Sequence, residues 1–249
     1  MDVHASHLHN APGKKFKHYL FEFFMLFFAV FCGFLAENFR EHIIERKWER
    51  RLMHSLVDDL KSDTVLLART RNVLGRQTRG IDSVLSLLPQ NTATDEHILK
   101  LFQLCEDHVV WKARARPTDR TVSQLKNAGF MRLIEHLEVS NAILGYEETK
   151  NRLMGQENDY MEAVNLTGES DKKLFSLVYL YPFYEHPVDP GQLPRFPKHV
   201  FNSSFIEEFG DNLYVEKLEV QVYIDRIDDT YRGAAALIDL IKKAYQIED

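Results

Sequence analysis

Apolar residues are concentrated in one run near the start of the chain. Residues 16–36 read FKHYLFEFFMLFFAVFCGFLA and carry formal charges only at Lys17 and Glu22. A helix needs roughly 20 residues to cross the hydrocarbon core of a bilayer. The twelve Phe, Leu and Val residues in this run contribute roughly −0.3 to −0.6 kcal/mol each, which outweighs one off-centre carboxyl that costs less than about 3 kcal/mol. We therefore predict a transmembrane helix over residues 16–36.

A cleaved signal peptide is the main alternative for this run, because three lysines form a basic region ahead of it. Cleavage after Ala36 would need a small residue where Phe34 stands. The run is therefore interpreted as a retained anchor. The basic residues predicted to flank the membrane are Lys14, Lys15, Lys17 and Arg40.

Residues 37–89 are predicted to form one long helix, charged at first and amphipathic later. A column of apolar residues recurs every seven positions: Met53, Leu60, Leu67, Leu74, Ile81 and Leu88. The column three positions later contains Asp63, Thr70 and Gln77, so the pattern favours the buried face of a bundle helix over a coiled coil. Gly75 and Gly80 predict a bend or break.

Residues 90–249 are predicted to form a helical bundle, completed by part of the long helix. Helices are expected over about 94–115, from 118 onward, over 139–164 and over 212–247, with a loop at 165–171. Residues 179–197 hold five of the eight prolines and predict an irregular, non-helical loop. Its aromatic residues either form a recognition surface or, as the favoured interpretation, plug one end of the bundle. The interaction candidates in this loop are Tyr181, Phe183, Tyr184 and Phe196.

The pattern as a whole predicts an all-α fold. It starts with a short basic, His-containing tail over residues 1–15, followed by the membrane helix, the long helix and an antiparallel bundle with its Pro- and aromatic-rich loop. The 31 Lys and Arg against 37 Asp and Glu give a net charge of −6. This acidic balance argues against nucleic acid as a partner.

The motifs of common enzymes are missing from the sequence. It contains no phosphate-binding loop, dinucleotide-binding glycine pattern, nucleophile elbow or zinc-hydrolase helix. We therefore predict no catalytic residue, no metal and no cofactor, and a protein that is not an enzyme.

Glu22 is the most informative single residue. An acid inside a transmembrane helix is costly and is a functional hypothesis by default. It either contacts another subunit or lies near the cytoplasmic end, where a neighbouring base or headgroup can pair with it. Gly33 adds a weak small-residue face for helix packing.

Membrane orientation depends on which rule applies. A plain count of basic residues puts the C-terminal side in the cytoplasm, but a following domain of more than 200 residues is translocated largely regardless of charge. We expect a cytoplasmic N-terminus and a periplasmic C-terminal domain. Cys32 lies within the span and Cys105 lies beyond it, so no intramolecular disulfide is expected.

Two stretches carry a family resemblance. The first is the Lys-rich start with Glu22 in the span and the AENFRE exit at residues 36–41; the second is LKNAGFMRLI at residues 125–134, with Tyr146 twelve residues on. Together they resemble an uncharacterised family of single-pass membrane proteins from Gram-negative bacteria. The resemblance implies an inner-membrane protein with a short cytoplasmic tail and a helical C-terminal domain, and it implies no reaction.

Two functions remain open. The first is a membrane-anchored helical interaction, scaffold or sensing protein without catalytic activity, whose partners are the lipid bilayer and a protein. The second is a homo-oligomeric membrane assembly, or a pore-like subunit, that self-associates through Glu22.

Overall fold

The computed structural model of the protein describes residues 12–88, 94–127, 129–185 and 203–248. These residues form six α-helices and one 3-10 helix and contain no strand, so the prediction of an all-α fold is confirmed. The elements are α1 (Pro12–Leu87), α2 (Asp95–His108), α3 (Arg120–Asn127), the 3-10 helix (Phe130–Leu133), α4 (Leu137–Leu174), α5 (Leu177–Glu185) and α6 (Ser203–Tyr245).

The chain divides into two compact units, Met1–Arg51 and Leu52–Asp249. The described part of the first unit is the N-terminal portion of α1. Among the described residues, one helix is long and apolar enough to cross a membrane, and no residue of its apolar segment is buried. This agrees with the predicted apolar segment at residues 16–36.

The second unit is built on α1 from Leu52 onward together with α4 and α6. Ion pairs fix the direction of α6 against α1, because Arg71 pairs with Asp228 and the later Asp82 pairs with the earlier Lys217. The two helices are therefore antiparallel. Between α4 and α6, the carbonyl of Thr149 accepts the hydroxyl of Thr230, and the carbonyl of the later Leu166 accepts the side-chain amide of the earlier Asn212, so this pair is antiparallel too.

The predicted seven-residue column of α1 forms the core. All six of its members are buried: Met53, Leu60, Leu67, Leu74, Ile81 and Leu88. They divide among three clusters along the unit, one around Leu56 and Ile241, one around Leu67 and Tyr223, and one around Ile81 and Phe209. Burial of these apolar side chains is the main driving force for the packing of the three helices.

The prediction of a bend or break at Gly75 and Gly80 is wrong about the break, because α1 runs as one helix from Pro12 to Leu87. A glycine inside a helix costs only about 1 kcal/mol relative to alanine, and burial of the flanking column offsets this cost. Gly80 has a packing role instead. A β-carbon added there would lie 2.1 Å from Cβ of His108, so the glycine lets the end of α2 approach α1.

The predicted loop at 165–171 is also wrong, since α4 continues to Leu174. Several polar residues of this stretch are buried in the helical bundle, where they form hydrogen bonds. The hydroxyl of Thr167 donates to the carbonyl of Ala163, and the hydroxyl of Ser170 donates to that of Thr167. A Ser or Thr hydroxyl that donates to a carbonyl one turn earlier gains a hydrogen-bond partner and does not end the helix.

Three element boundaries differ from the prediction. α2 ends at His108 rather than near Ala115, and α6 begins at Ser203 rather than near residue 212. Residues 177–185 are helical and contain Pro182, so the first part of the predicted loop at 179–197 is wrong. Leu180 of this short helix is buried in the cluster around Ile81, which stabilises the helix against its proline. The remainder of the loop, residues 186–197, lies outside the described residues.

Candidate functional site

Residues 109–119 connect α2 to α3 without forming a helix or a strand. We call this segment the strap. Its apolar anchors Val109 and Ala115 are fully buried, and side chains from α1, α4 and α6 bind its peptide groups. Buried backbone groups need such partners, because an unpaired one costs about as much free energy as a lost hydrogen bond.

Two tyrosines hold the middle of the strap. The hydroxyl of Tyr160 on α4 accepts the N–H of Ala113 at 3.2 Å, and the hydroxyl of Tyr223 on α6 accepts the N–H of Ala115 at 2.8 Å. Burial raises the pKa of both phenols, to about 12 for Tyr160. Both hydroxyls therefore stay protonated and also act as donors, to Gln77 and Glu157 respectively.

Gln77 of α1 holds the first part of the strap. Its amide nitrogen lies within hydrogen-bond distance of the carbonyls of Val109 (3.1 Å) and Trp111 (3.2 Å) and of Oε1 of Glu216 (2.9 Å). Its amide oxygen accepts the hydroxyl of Tyr160 at 3.0 Å. One side chain thus joins α1, α4, α6 and the strap.

Two aspartates of α1 hold the end of the strap and the start of α3. Asp63 accepts the N–H of Thr118 at 2.7 Å and the hydroxyl of Tyr146 at 2.9 Å. Burial raises the pKa of Asp63, although these hydrogen bonds oppose the rise. Asp59 accepts both the N–H and the hydroxyl of Thr121. The first turn of α3 is therefore capped by a side chain from another helix.

Lys150 of α4 is a buried base beneath the same part of the strap, only 4% exposed. Its ammonium donates to the carbonyl of Thr118 at 3.1 Å, to Asp119 at 3.0 Å and to Glu147 at 2.8 Å. Burial alone lowers the pKa of Lys150, but the hydrogen bonds to Glu147 and Asp119 outweigh it and raise the pKa above its ordinary value. The ammonium of Lys150 therefore stays charged, and all three of its hydrogen bonds are made within the protein.

Two buried carboxyl groups are incompletely paired. Oε2 of Glu216 and Oδ1 of Asp171 have no hydrogen-bond partner among the described residues. Burial raises the pKa of each to about 7. Cys105 is buried close to both acids, and burial together with their charge raises the pKa of its thiol well above the ordinary value. This thiol is therefore a poor nucleophile.

Two shallow clefts open on the surface of the second unit. The first has a volume of about 210 Å³ and is lined by Val73, Arg76, Gln77, Asp107, His108 and Trp111. The second, of about 190 Å³, lies beside Arg71 and Tyr231. Sites for small ligands are usually about 300–1,000 Å³. Neither cleft reaches that range, and the described residues contain no group of three or more His, Cys, Asp or Glu side chains arranged to hold a metal ion.

The structure gives the membrane candidates local partners. Nε2 of His18 lies 3.2 Å from Oε1 of Glu22, one helical turn away. Arg40 forms an ion pair with Glu37. A β-carbon at Gly33 would meet nothing within 4 Å. Lys17 is exposed, while Lys14 and Lys15 lie in α1 with side chains that are not described.

Of the aromatic candidates in the predicted loop, the structure describes one side chain. Tyr181 lies on α5 and is exposed. Phe183 and Tyr184 also lie in α5, but their side chains are not described, and Phe196 lies outside the described residues. The strap was not predicted from the sequence. The one sequence feature that points to it is the polar column of α1, because Asp63, Thr70 and Gln77 all form hydrogen bonds to backbone groups of the strap.

Comparison with known protein families, with curated proteins and with solved structures finds no match.

Proposed function

We propose that this protein is a membrane-anchored helical interaction or scaffold protein without catalytic activity. One observation carries the proposal: α1 begins with an apolar segment whose side chains are all exposed, and the same helix continues as the buried column of the second unit. Large exposed apolar surfaces are unfavourable in water and mark contact with a membrane or a partner. A bilayer is the natural environment for the exposed segment.

The non-catalytic role is supported by the use of the buried polar groups. Catalysis needs a base, acid or nucleophile that converges on a place where substrate can bind. Here Gln77, Tyr160 and Tyr223 are engaged with the strap and with one another. Their arrangement stabilises a rigid surface, which suits a protein that binds others.

For location we propose the inner membrane of a Gram-negative bacterium, with the N-terminus in the cytoplasm and the second unit in the periplasm. Cysteine labelling tests this topology in a Cys32→Ser background, since Cys105 is buried. Val65→Cys at an exposed site of α1 should react with a membrane-impermeant maleimide in cells whose outer membrane alone is permeabilised. Ser6→Cys should react only after lysis. The reverse pattern would place the second unit in the cytoplasm.

Chemical crosslinking in intact cells tests the interaction itself. The proposal predicts adducts whose mass exceeds the 29.1 kDa of the chain by the mass of another protein. Adducts at multiples of 29.1 kDa that disappear in Glu22→Gln would support a homo-oligomeric assembly instead. Chain that stays uncrosslinked under conditions that crosslink a known complex would contradict both functions.

A further inference from the structure

The outward face of α6 carries an exposed apolar patch. It consists of Tyr214, Val215, Leu218 and Val222, which we call the α6 patch. The spacing of four residues from 214 to 218 to 222 aligns three of them along one face of the helix. The buried face of α6 lies opposite and includes Val220, Tyr223 and Ile227. The patch is therefore additional to the apolar surface that the fold itself uses.

Acidic residues border the patch at both ends. Asp211 and Asp225 each lie seven residues from Leu218, which is about two helical turns and places all three on nearly the same face. Both aspartates are exposed, and Glu207 adds a third exposed acid on the N-terminal side. The spacing of 14 residues puts the two aspartates about 21 Å apart.

The basic residues of α6 near the patch are engaged elsewhere. Lys217 pairs with Asp82 of α1 at 2.5 Å. Arg226 and Arg232 both pair with Asp229. The patch therefore keeps a negative border on both sides of its apolar centre.

This charge pattern disfavours a second copy of the chain as the occupant. If two α6 helices packed symmetrically at Leu218, a parallel arrangement would oppose Asp211 to Asp211 and an antiparallel one would oppose Asp211 to Asp225. Both arrangements bring like charges together, and such juxtapositions across an interface cost several kcal/mol. A partner with basic residues at the corresponding positions gains favourable electrostatics at both ends.

We propose that the α6 patch binds a basic amphipathic helix of another protein, with apolar residues at its centre and Lys or Arg about 21 Å apart at its ends. The inference rests on the proposed interaction function and specifies the chemistry of the partner.

A photo-crosslinking amino acid at position 218 of the full chain, expressed in its own cells, tests the proposal. The matched control places the same amino acid at Val65, which is exposed on α1 but has Lys61 and Arg69 four residues away on either side. Sequencing of the crosslinked peptide then identifies what lies on each surface. We expect position 218 to capture a peptide of net positive charge from another protein, and position 65 not to capture it.

Charge reversal is the decisive variant. Asp211→Lys with Asp225→Lys should lower the crosslink yield at 218 by about tenfold or more, since two unfavourable contacts replace two favourable ones. Asp211→Glu with Asp225→Glu keeps the charge and should retain the crosslink. Unchanged far-ultraviolet circular dichroism checks that both variants are folded.

Three results would overturn the inference. They are a crosslink at 218 to the same chain or to a second copy, a crosslink to another protein that survives charge reversal, and a yield at 218 no higher than at 65. The proposed function fails separately, because a chain that other surfaces crosslink to a partner remains an interaction protein even when position 218 gives nothing.

Discussion

The rings of Tyr160 on α4 and Tyr223 on α6 stack with their centroids 5.1 Å apart, and each hydroxyl accepts a peptide N–H of the strap. The donating residues in the strap, Ala113 and Ala115, are two apart, so N–H groups on the same side of one extended segment meet the two hydroxyls. The tyrosine pair thus fixes both the distance between α4 and α6 and the position of the strap.

Removing one hydroxyl of this pair should destabilise the fold. Tyr223→Phe leaves the N–H of Ala115 and Oε2 of Glu157 without their partner in a buried site. An unsatisfied buried group costs about 1–3 kcal/mol, so the free energy of unfolding should fall by at least that amount. Urea unfolding of the detergent-solubilised chain measures it. Tyr214→Phe, on the exposed face of α6, is the control, and equal effects of the two substitutions would contradict the network.

A pair of glycines in α1 tests the contact between α1 and α2. Gly80→Ala puts a methyl group 2.1 Å from Cβ of His108 and should lower the free energy of unfolding by about 1–3 kcal/mol. Gly75→Ala meets only the end of the Arg79 side chain at 3.8 Å and should stabilise the helix by up to about 1 kcal/mol. Thermal unfolding of both variants should therefore shift in opposite directions. A shift in the same direction would show that α2 does not pack against Gly80.

Lys150 tests how much its buried ion pairs contribute. Lys150→Met leaves Glu147 with its ion pair to Lys126 alone and removes the ammonium donor from the carbonyl of Thr118, which should cost about 3 kcal/mol. Arg152→Met two residues later removes only an exposed ion pair with Glu148 and should change stability by less than about 1 kcal/mol. If both substitutions lowered the free energy of unfolding by similar amounts, the buried hydrogen bonds of Lys150 would not stabilise the fold.

The buried acids predict a stability that falls as pH rises. The pKa of Glu216 is raised from 4.5 to about 7 and that of Asp171 from 3.8 to about 7. Between about pH 4 and pH 7 the folded state therefore holds protons that the unfolded state has lost, and the free energy of unfolding decreases with pH. Glu216→Gln should flatten this decrease and stabilise the protein at pH 8 by an amount on the order of 3 kcal/mol.

The control for this pH dependence is Glu207→Gln, which changes an exposed acid on the same helix. It should leave the slope of stability against pH unchanged. A wild-type protein whose free energy of unfolding rises steadily from pH 4 to pH 7 would show that these two acids are ionised in the folded state.

The long helix and its core could be predicted because their signals are local. The seven-residue column from Met53 to Leu88 and the apolar run before it are periodic or continuous in sequence. The strap could not be predicted in this way. Residues 109–111 are apolar and read as helix, yet α2 ends at His108 where it packs against Gly80, a residue 28 positions earlier.

The hydrogen-bond partners of the buried polar residues of α1 could not be predicted from the sequence for the same reason. Asp63 and Gln77 were recognisable as polar positions on an otherwise apolar helix. Their partners, Thr118 and Glu216, are 55 and 139 residues away in sequence. No local pattern links such distant groups. His18, four residues before the membrane candidate Glu22, lies 3.2 Å from its carboxylate, a pairing that the local sequence alone suggests.

The central claim is that the exposed apolar segment of α1 anchors this protein in a membrane. Alkaline carbonate extraction of membranes from cells that express the full chain tests it most directly, with a variant that carries Phe24→Lys, Phe27→Lys and Phe28→Lys as the control. The natural chain should stay in the membrane pellet, and the triple variant should be released. Release of the natural chain into the soluble fraction would contradict the claim.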